Sequence, residues 1–307
     1  MSDIKKAKPS GLLKHDRAFI FWMLAPSVVL VSVFTYYPVL RGIPMAFQQY
    51  SLWDLHNTPF VGFANFRNLF SRPDFTLSLP NTLQWVVFSL LGQLAIGFTL
   101  AMFLRKPFRG RGLYQGAVFF PWAVSGFLIG ILWRWLYNGS YGVLNDILIR
   151  LGIVDIANPI GFLSDRQYAM GAVIVANIWY GIAFFAIMIQ AALQGVPEEL
   201  YEAAEVDGAS KIQQFFNITL PFIAPVLSLT VLLRCIWIFN FADMIYALTR
   251  GGPGGATEIM TSLQLNLVMF GNDYGLAAAM GLILTIVMAA FTTVYLFVTR
   301  RARAQEV

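Results

Sequence analysis

Six apolar runs follow one another along the chain, at about 19–40, 82–104, 113–136, 168–193, 222–247 and 274–298, each long enough to cross roughly 30 Å of hydrocarbon. None alternates apolar and polar residues with the period of a barrel strand, and open strands leave their backbone groups unsatisfied in lipid. The pattern predicts an all-α polytopic membrane protein with six transmembrane helices. A tail over 1–18 precedes the first span, and a longer polar connection over 195–221 separates the fourth from the fifth. No repeat or low-complexity tract divides the chain, so 1–307 reads as one membrane domain. The first run is too long for a signal sequence and no small-residue cleavage site closes it, so it reads as a retained span.

Composition agrees with a bilayer as solvent: 58% of residues are hydrophobic and 12% charged, more apolar surface than a soluble domain of 307 residues can bury. The net charge of +5 does not point to nucleic acid, because the basic residues fall in short blocks between the runs. Lys5, Lys6, Lys8, Lys14, Arg17, Arg105, Lys106, Arg109, Arg111, Lys211, Arg300, Arg301 and Arg303 mark one set of connections. The other set carries only Arg41, Arg67, Arg72, Arg150, Arg166 and Arg250. By the positive-inside bias, both termini and the 195–221 connection are expected in the cytoplasm of a bacterial cell whose inner membrane the chain crosses.

That connection is built as two short helices. Pro197 suits a first helical turn, Glu198 and Glu199 sit at the positive end of its dipole, and Leu200, Ala203 and Ala204 share a face. Gly208 can end the helix in a left-handed conformation, and Ser210 can cap the next, whose apolar face carries Ile212, Phe215 and Phe216.

The run Glu202-Ala203-Ala204-Glu205-Val206-Asp207-Gly208-Ala209, with Phe216-Asn217-Ile218-Thr219-Leu220-Pro221 after it, resembles the EAA loop of binding-protein-dependent ABC importer permeases. Four further stretches resemble the MalF/UgpA-like carbohydrate permeases: 60–66, 109–122, 133–145 and 239–253. The large external domain and extra amino-terminal spans of some such permeases have no counterpart here. The resemblance implies a type I ABC importer permease fold. It also implies a second permease, expected as a heterodimer partner, two copies of an ATPase that binds ATP and Mg, and a solute-binding protein. In it Glu202 and Asp207 offer charge to the ATPase, Ala203 and Ala204 allow close fit, and Gly208 permits the turn. The solute expected is a sugar or sugar derivative.

Within the fifth run, Arg234 lies roughly 18 Å from the start, near mid-membrane, where an ionised group costs on the order of 3 kcal/mol. It shares a stripe with Trp237 and Phe241, with Asn240 at the stripe's edge. Rings beside hydrogen-bonding groups suit a sugar, so these four are candidates for the solute path, and Arg234 hints at an acidic derivative. Bonding of Arg234 to a neighbouring helix is the alternative. Arg134 closes the third run and is expected to snorkel to the interface.

Catalytic signatures are missing from the sequence. No phosphate-binding G-x-x-x-x-G-K-[ST] run occurs, so ATP hydrolysis belongs to another chain and no cofactor is expected on this one. His15 and His56 fall on opposite sides by the charge count, and Cys235 is the single cysteine, so no metal site is expected. A secondary transporter is the rival reading, but it calls for an inverted repeat and intramembrane acidic groups, and neither is evident.

Overall fold

The computed structural model describes residues 12–105 and 108–304. Lys5, Lys6, Lys8 and Lys106 of the basic blocks lie outside the described residues. Among those described there is no strand, only isolated bridges such as Gln48 with Phe60. Five helical stretches are long and apolar enough to cross a membrane: Ala18–Met45, Pro73–Arg105, Arg166–Gln194, Lys211–Phe239 and Tyr274–Arg301. A sixth is a bent pair, Arg111–Ala123 with Gly126–Leu136. These are numbered as spans in chain order, the bent pair being the third.

Proline accounts for most departures from straight helices. Two π turns, Ser32–Tyr36 and Phe215–Thr219, each precede an X-Pro pair, Tyr37-Pro38 and Leu220-Pro221. A proline ring presses on the carbonyl four residues back, and the wider π turn relieves that crowding; Leu220 N–H accordingly reaches the Phe215 carbonyl. In the third span Pro121 lies in a tight turn over Phe120–Ala123, after which Val124 and Ser125 are extended. Ser125 Oγ caps the following helix by accepting from Leu128 N–H at 3.4 Å. The two halves meet at 103° rather than running straight as the apolar run implied.

The fifth span also stops earlier than its apolar run. Asn240 ends the helix, its Nδ2 donating back to the Ile236 carbonyl at 2.9 Å, and a separate helix, Ala242–Leu248, folds against the third span. Gly126 and Gly130 make that approach possible. A Cβ at Gly126 would strike the Phe241 ring, and one at Gly130 would sit 2.6 Å from Ala247 Cβ. Small residues four apart that let backbones come together are a main source of helix association in lipid. Gly130→Val is expected to lower stability by about 2 kcal/mol through overpacking, read as a fall in the thermal unfolding midpoint in detergent.

The core sits between the second, fourth and fifth spans. Trp85, Val173, Ile238 and Met244 are fully or almost fully buried there, and Trp85 Nε1 donates to the Ile238 carbonyl at 2.8 Å. The first span, by contrast, is exposed along its apolar length, and its end is tacked down by Asn65, whose Nδ2 donates to the Ala46 and Gln48 carbonyls at 2.9 Å each. At the same end of the bundle Glu258 is buried, accepting from Ser262 Oγ and Asn266 Nδ2. Desolvation holds its carboxyl above the ordinary range, and these two bonds oppose the shift.

Candidate functional site

The connection between the fourth and fifth spans forms one helix, Glu198–Val206, capped by Pro197, and then a turn into Lys211–Gln214. The second helix is not a separate element: it continues through the π turn into the fifth span. Gly208 has φ +78°, its N–H donates to the Glu205 carbonyl at 3.1 Å, and Ala209 N–H reaches the Ala204 carbonyl at 2.8 Å. These close the loop helix in the left-handed manner that glycine allows. Ser210 then makes a full capping box: Gln213 N–H donates to its Oγ at 3.3 Å, and Gln213 Oε1 accepts from Ser210 N–H at 2.7 Å. Ser210→Ala is expected to cost about 1 kcal/mol locally, seen as faster amide exchange over residues 211–215.

Glu202, Ala203, Asp207 and Gly208 are exposed, and Ala204 is half-buried. Val206 is 88% exposed and Ile212 72%, so the tip of the loop carries bare apolar side chains as well as charge. Glu202 and Asp207 have no side-chain partner among the described residues. Glu205 instead pairs with Lys211 across the turn, and that ammonium holds the Glu205 carboxyl below its ordinary range. The knob is rooted by residues the sequence did not single out. Tyr201 shares a hydrogen bond with Thr219 Oγ1 at 2.8 Å, and the Arg105 guanidinium, at the end of the second span, lies 4.6 Å from the Tyr201 ring centre.

Deeper in the bundle, Arg234 is only 3% exposed. Its Nε donates to Gln93 Oε1 at 2.6 Å, and Gln93 Nε2 donates to the Asn177 carbonyl at 2.8 Å, so three spans meet on one polar chain. Gly181 supplies the room, since a Cβ there would collide with both Gln93 and Arg234 Nη2. The rings of Tyr180 and Phe184 each lie 5.8 Å from the guanidinium carbon. Phe241 stacks on Tyr180 at 5.2 Å and Trp237 packs on Phe184 at 5.0 Å. Arg234, Trp237 and Phe241 therefore belong to one assembly, in which the cation backs the rings and Trp237 is 46% exposed. Asn240 is not part of it: it borders a different groove of about 820 Å³, with Ile43, Gln264 and Thr285. Arg134 is exposed, beside a cavity of about 300 Å³ bordered by Tyr137 and Asn138.

The family described as "Binding-protein-dependent transport system inner membrane component" matches residues 93–304, which include the loop helix and the buried arginine. The trehalose/maltose transport system permease protein MalF of Thermococcus litoralis is 34% identical over 95% of this chain and 97% of its own. The sulfoquinovosyl glycerol transport system permease protein SmoG of Agrobacterium fabrum is 34% identical over 93% of this chain and 91% of its own. A chain of a bacterial alginate ABC transporter, crystallised in complex with an alginate pentasaccharide-bound periplasmic protein, superposes with a TM-score of 0.81 at 26% identity, covering 94% of this chain and 96% of that one. With the broken third span and the capped loop helix set in that same fold, the chain belongs to the family of inner membrane components of binding-protein-dependent transport systems and is an ABC importer permease.

Proposed function

We propose that this permease carries a sugar or sugar derivative across the inner membrane, receiving it from a solute-binding protein and taking its driving force from a separate ATPase. The named relatives transport trehalose and maltose or sulfoquinovosyl glycerol, and the matched structure holds an alginate pentasaccharide on its periplasmic protein. The chain pairs with a second, similar permease, and two copies of the ATPase, with ATP and Mg, bind at the end of the bundle that carries the loop helix. Both chain termini and that loop face the cytoplasm, in keeping with the basic residues gathered there.

The observation that carries the reading is the loop helix itself. It is held firmly at its root by Tyr201 and Thr219, yet its far side presents Glu202, Ala203, Val206 and Asp207 to whatever lies beyond. A rigid projection of this kind moves as a body when a bound partner moves. It transmits ATPase closure across the Gly208 turn to the fifth span, whose continuous helix Lys211–Phe239 begins just beyond that turn, and so switches the cavity from one side to the other. Glu202 and Asp207 bind basic groups on the ATPase, and Ala203 and Ala204 keep the contact close.

Trp237 and Phe241 offer rings to the C–H faces of the solute, with Arg234 behind them, and Asn240 offers an amide where the fifth span ends. Purification of the tagged chain from its native membrane in mild detergent tests the coupling. The ATPase is expected to follow it in stoichiometric amount, and Ala203→Trp to shed the ATPase while the chain stays folded. Retention of the ATPase by that variant, or no ATPase with the intact chain, would contradict the reading.

A further inference from the structure

At the loop-helix end of the bundle, a cavity of about 250 Å³ opens between the end of the second span, the start of the third, the end of the fourth and the first turn of the loop helix. Arg105, Arg111, Gln190 and Glu198 line it, beside the apolar Leu193 and Val196. Neither the loop's coupling role nor the aromatic assembly around Arg234 makes use of this space.

Its polar groups are left with capacity to bind. Gln190 is 7% exposed, and its Oε1 accepts from Gln115 Nε2 at 2.9 Å. In that pairing Gln190 Nε2, a donor, is buried without a partner among the described residues. Arg111 Nε is in the same condition. Buried donors are ordinarily satisfied, and the two residues that carry these orphaned donors both line the cavity. Arg105 adds a second guanidinium, of which only Nη1 is engaged by hydrogen bonding among the described residues, with the Tyr201 hydroxyl at 3.3 Å.

Two guanidiniums with an amide are a match for phosphate oxygens, which accept the planar fork of arginine in pairs. The charge balance narrows the ligand. Among the described residues of the lining Glu198 offsets one of the two arginines, which leaves one net positive charge and suits a singly charged phosphodiester better than a dianionic phosphate. The position narrows it further, because basic pockets between spans near the membrane surface hold the headgroups of anionic lipids, and Leu193 and Val196 give an apolar wall on which the lipid's glycerol region can pack. We infer that this cavity binds a phosphodiester anion of the kind carried by a phospholipid headgroup. The occupant bridges the second, third and fourth spans where Arg105 also stacks on Tyr201, and so stabilises the root of the loop helix.

The test uses the assembled transporter in neutral detergent, with the thermal unfolding midpoint as readout and two probes, phosphatidylglycerol and inorganic phosphate. Phosphatidylglycerol is expected to raise the midpoint of the wild type. Arg111→Gln and Gln190→Leu should each need about tenfold more lipid for half the shift, in line with loss of one charge-assisted bond or one buried donor. Arg109→Gln, an exposed position outside the cavity, should respond like the wild type. A shift with inorganic phosphate that Arg111→Gln weakens and the lipid does not reproduce would keep the anion site but reject a lipid as its occupant. No shift from either probe, an unaltered lipid response in both cavity variants, or an equal loss in Arg109→Gln would overturn the site; the last would mean diffuse surface charge. Should Arg111→Gln fail to fold, Gln190→Leu decides alone, since it removes the orphaned donor without touching a charge.

Discussion

Replacing Gly208 with proline is expected to reduce solute uptake more than tenfold while the chain still inserts, accumulates and assembles normally. Gly208 sits at φ +78°, and its N–H closes the loop helix on the Glu205 carbonyl at 3.1 Å. Proline fixes φ near −65° and has no N–H, so it removes both the left-handed turn and the bond. The loop helix would then leave the turn in a new direction, and its tip at Val206 and Asp207 would no longer present the surface proposed to meet the ATPase. The contacts that bridge this turn are local, the Glu205–Lys211 pair, the Ala209–Ala204 bond and the Tyr201–Thr219 bond, whereas the packing of the spans on one another lies elsewhere, and a Cβ at Gly208 would meet no neighbour within 4 Å. Gly208→Ala is the graded control. It meets no steric clash and bears only the cost of left-handed backbone, about 1 kcal/mol, so uptake should fall partially. Uptake and ATPase rates measured together in proteoliposomes separate the outcomes. Hydrolysis persisting without transport is the uncoupled result, and wild-type uptake by Gly208→Pro would sink the coupling role.

That prediction rests on a turn readable from local sequence. Gly208 and Ser210 act on their own backbone or on groups three residues away, and such short-range chemistry survives any tertiary arrangement. The same holds for the number and order of the apolar runs, which the bilayer fixes by length alone. The break in the third span was not read, because a hydropathy window sums over Pro121 and registers no interruption; the usable signal was Pro121 followed by a capping serine at Ser125 and the Gly126–Gly130 pair. The end of the fifth span was overrun for the same reason, since 241–247 is apolar but for Asp243 after Asn240 has turned the chain. Tyr201 and Gln93 were missed on different grounds. Both matter through partners far away in sequence, Arg105 and Arg234, and no local pattern marks a residue that acts across 96 or 141 positions. Arg234 itself stood out as a charge in a span, and the sequence left open whether it bonds a neighbouring helix or meets solute. It does bond to a helix through Gln93, and the rings beside it, Tyr180 and Phe184, are the ones on which Phe241 and Trp237 of the stripe assigned to the solute pack.

Those two roles come apart in one pair of substitutions. Gln93→Leu is expected to destabilise the chain by about 3 kcal/mol, because it strips the buried Arg234 guanidinium of its one hydrogen-bond acceptor among the described residues and leaves the buried charge unbonded. Adding Arg234→Met should recover most of that loss. Both partners are then apolar and of similar size, no buried charge remains, and Gly181 still leaves the methionine room. Contacting residues couple in this way, and the rescue is the signature of the coupling. Thermal midpoints of the wild type, Gln93→Leu and the double variant in one detergent measure it; a double variant no more stable than Gln93→Leu would mean that Gln93 matters for something other than Arg234. Uptake by the stable double variant then addresses the remaining role. Solute affinity equal to the wild type would make Arg234 a brace between spans and nothing more, whereas a several-fold loss of affinity at restored stability would place the guanidinium among the groups that hold the solute through the rings it backs.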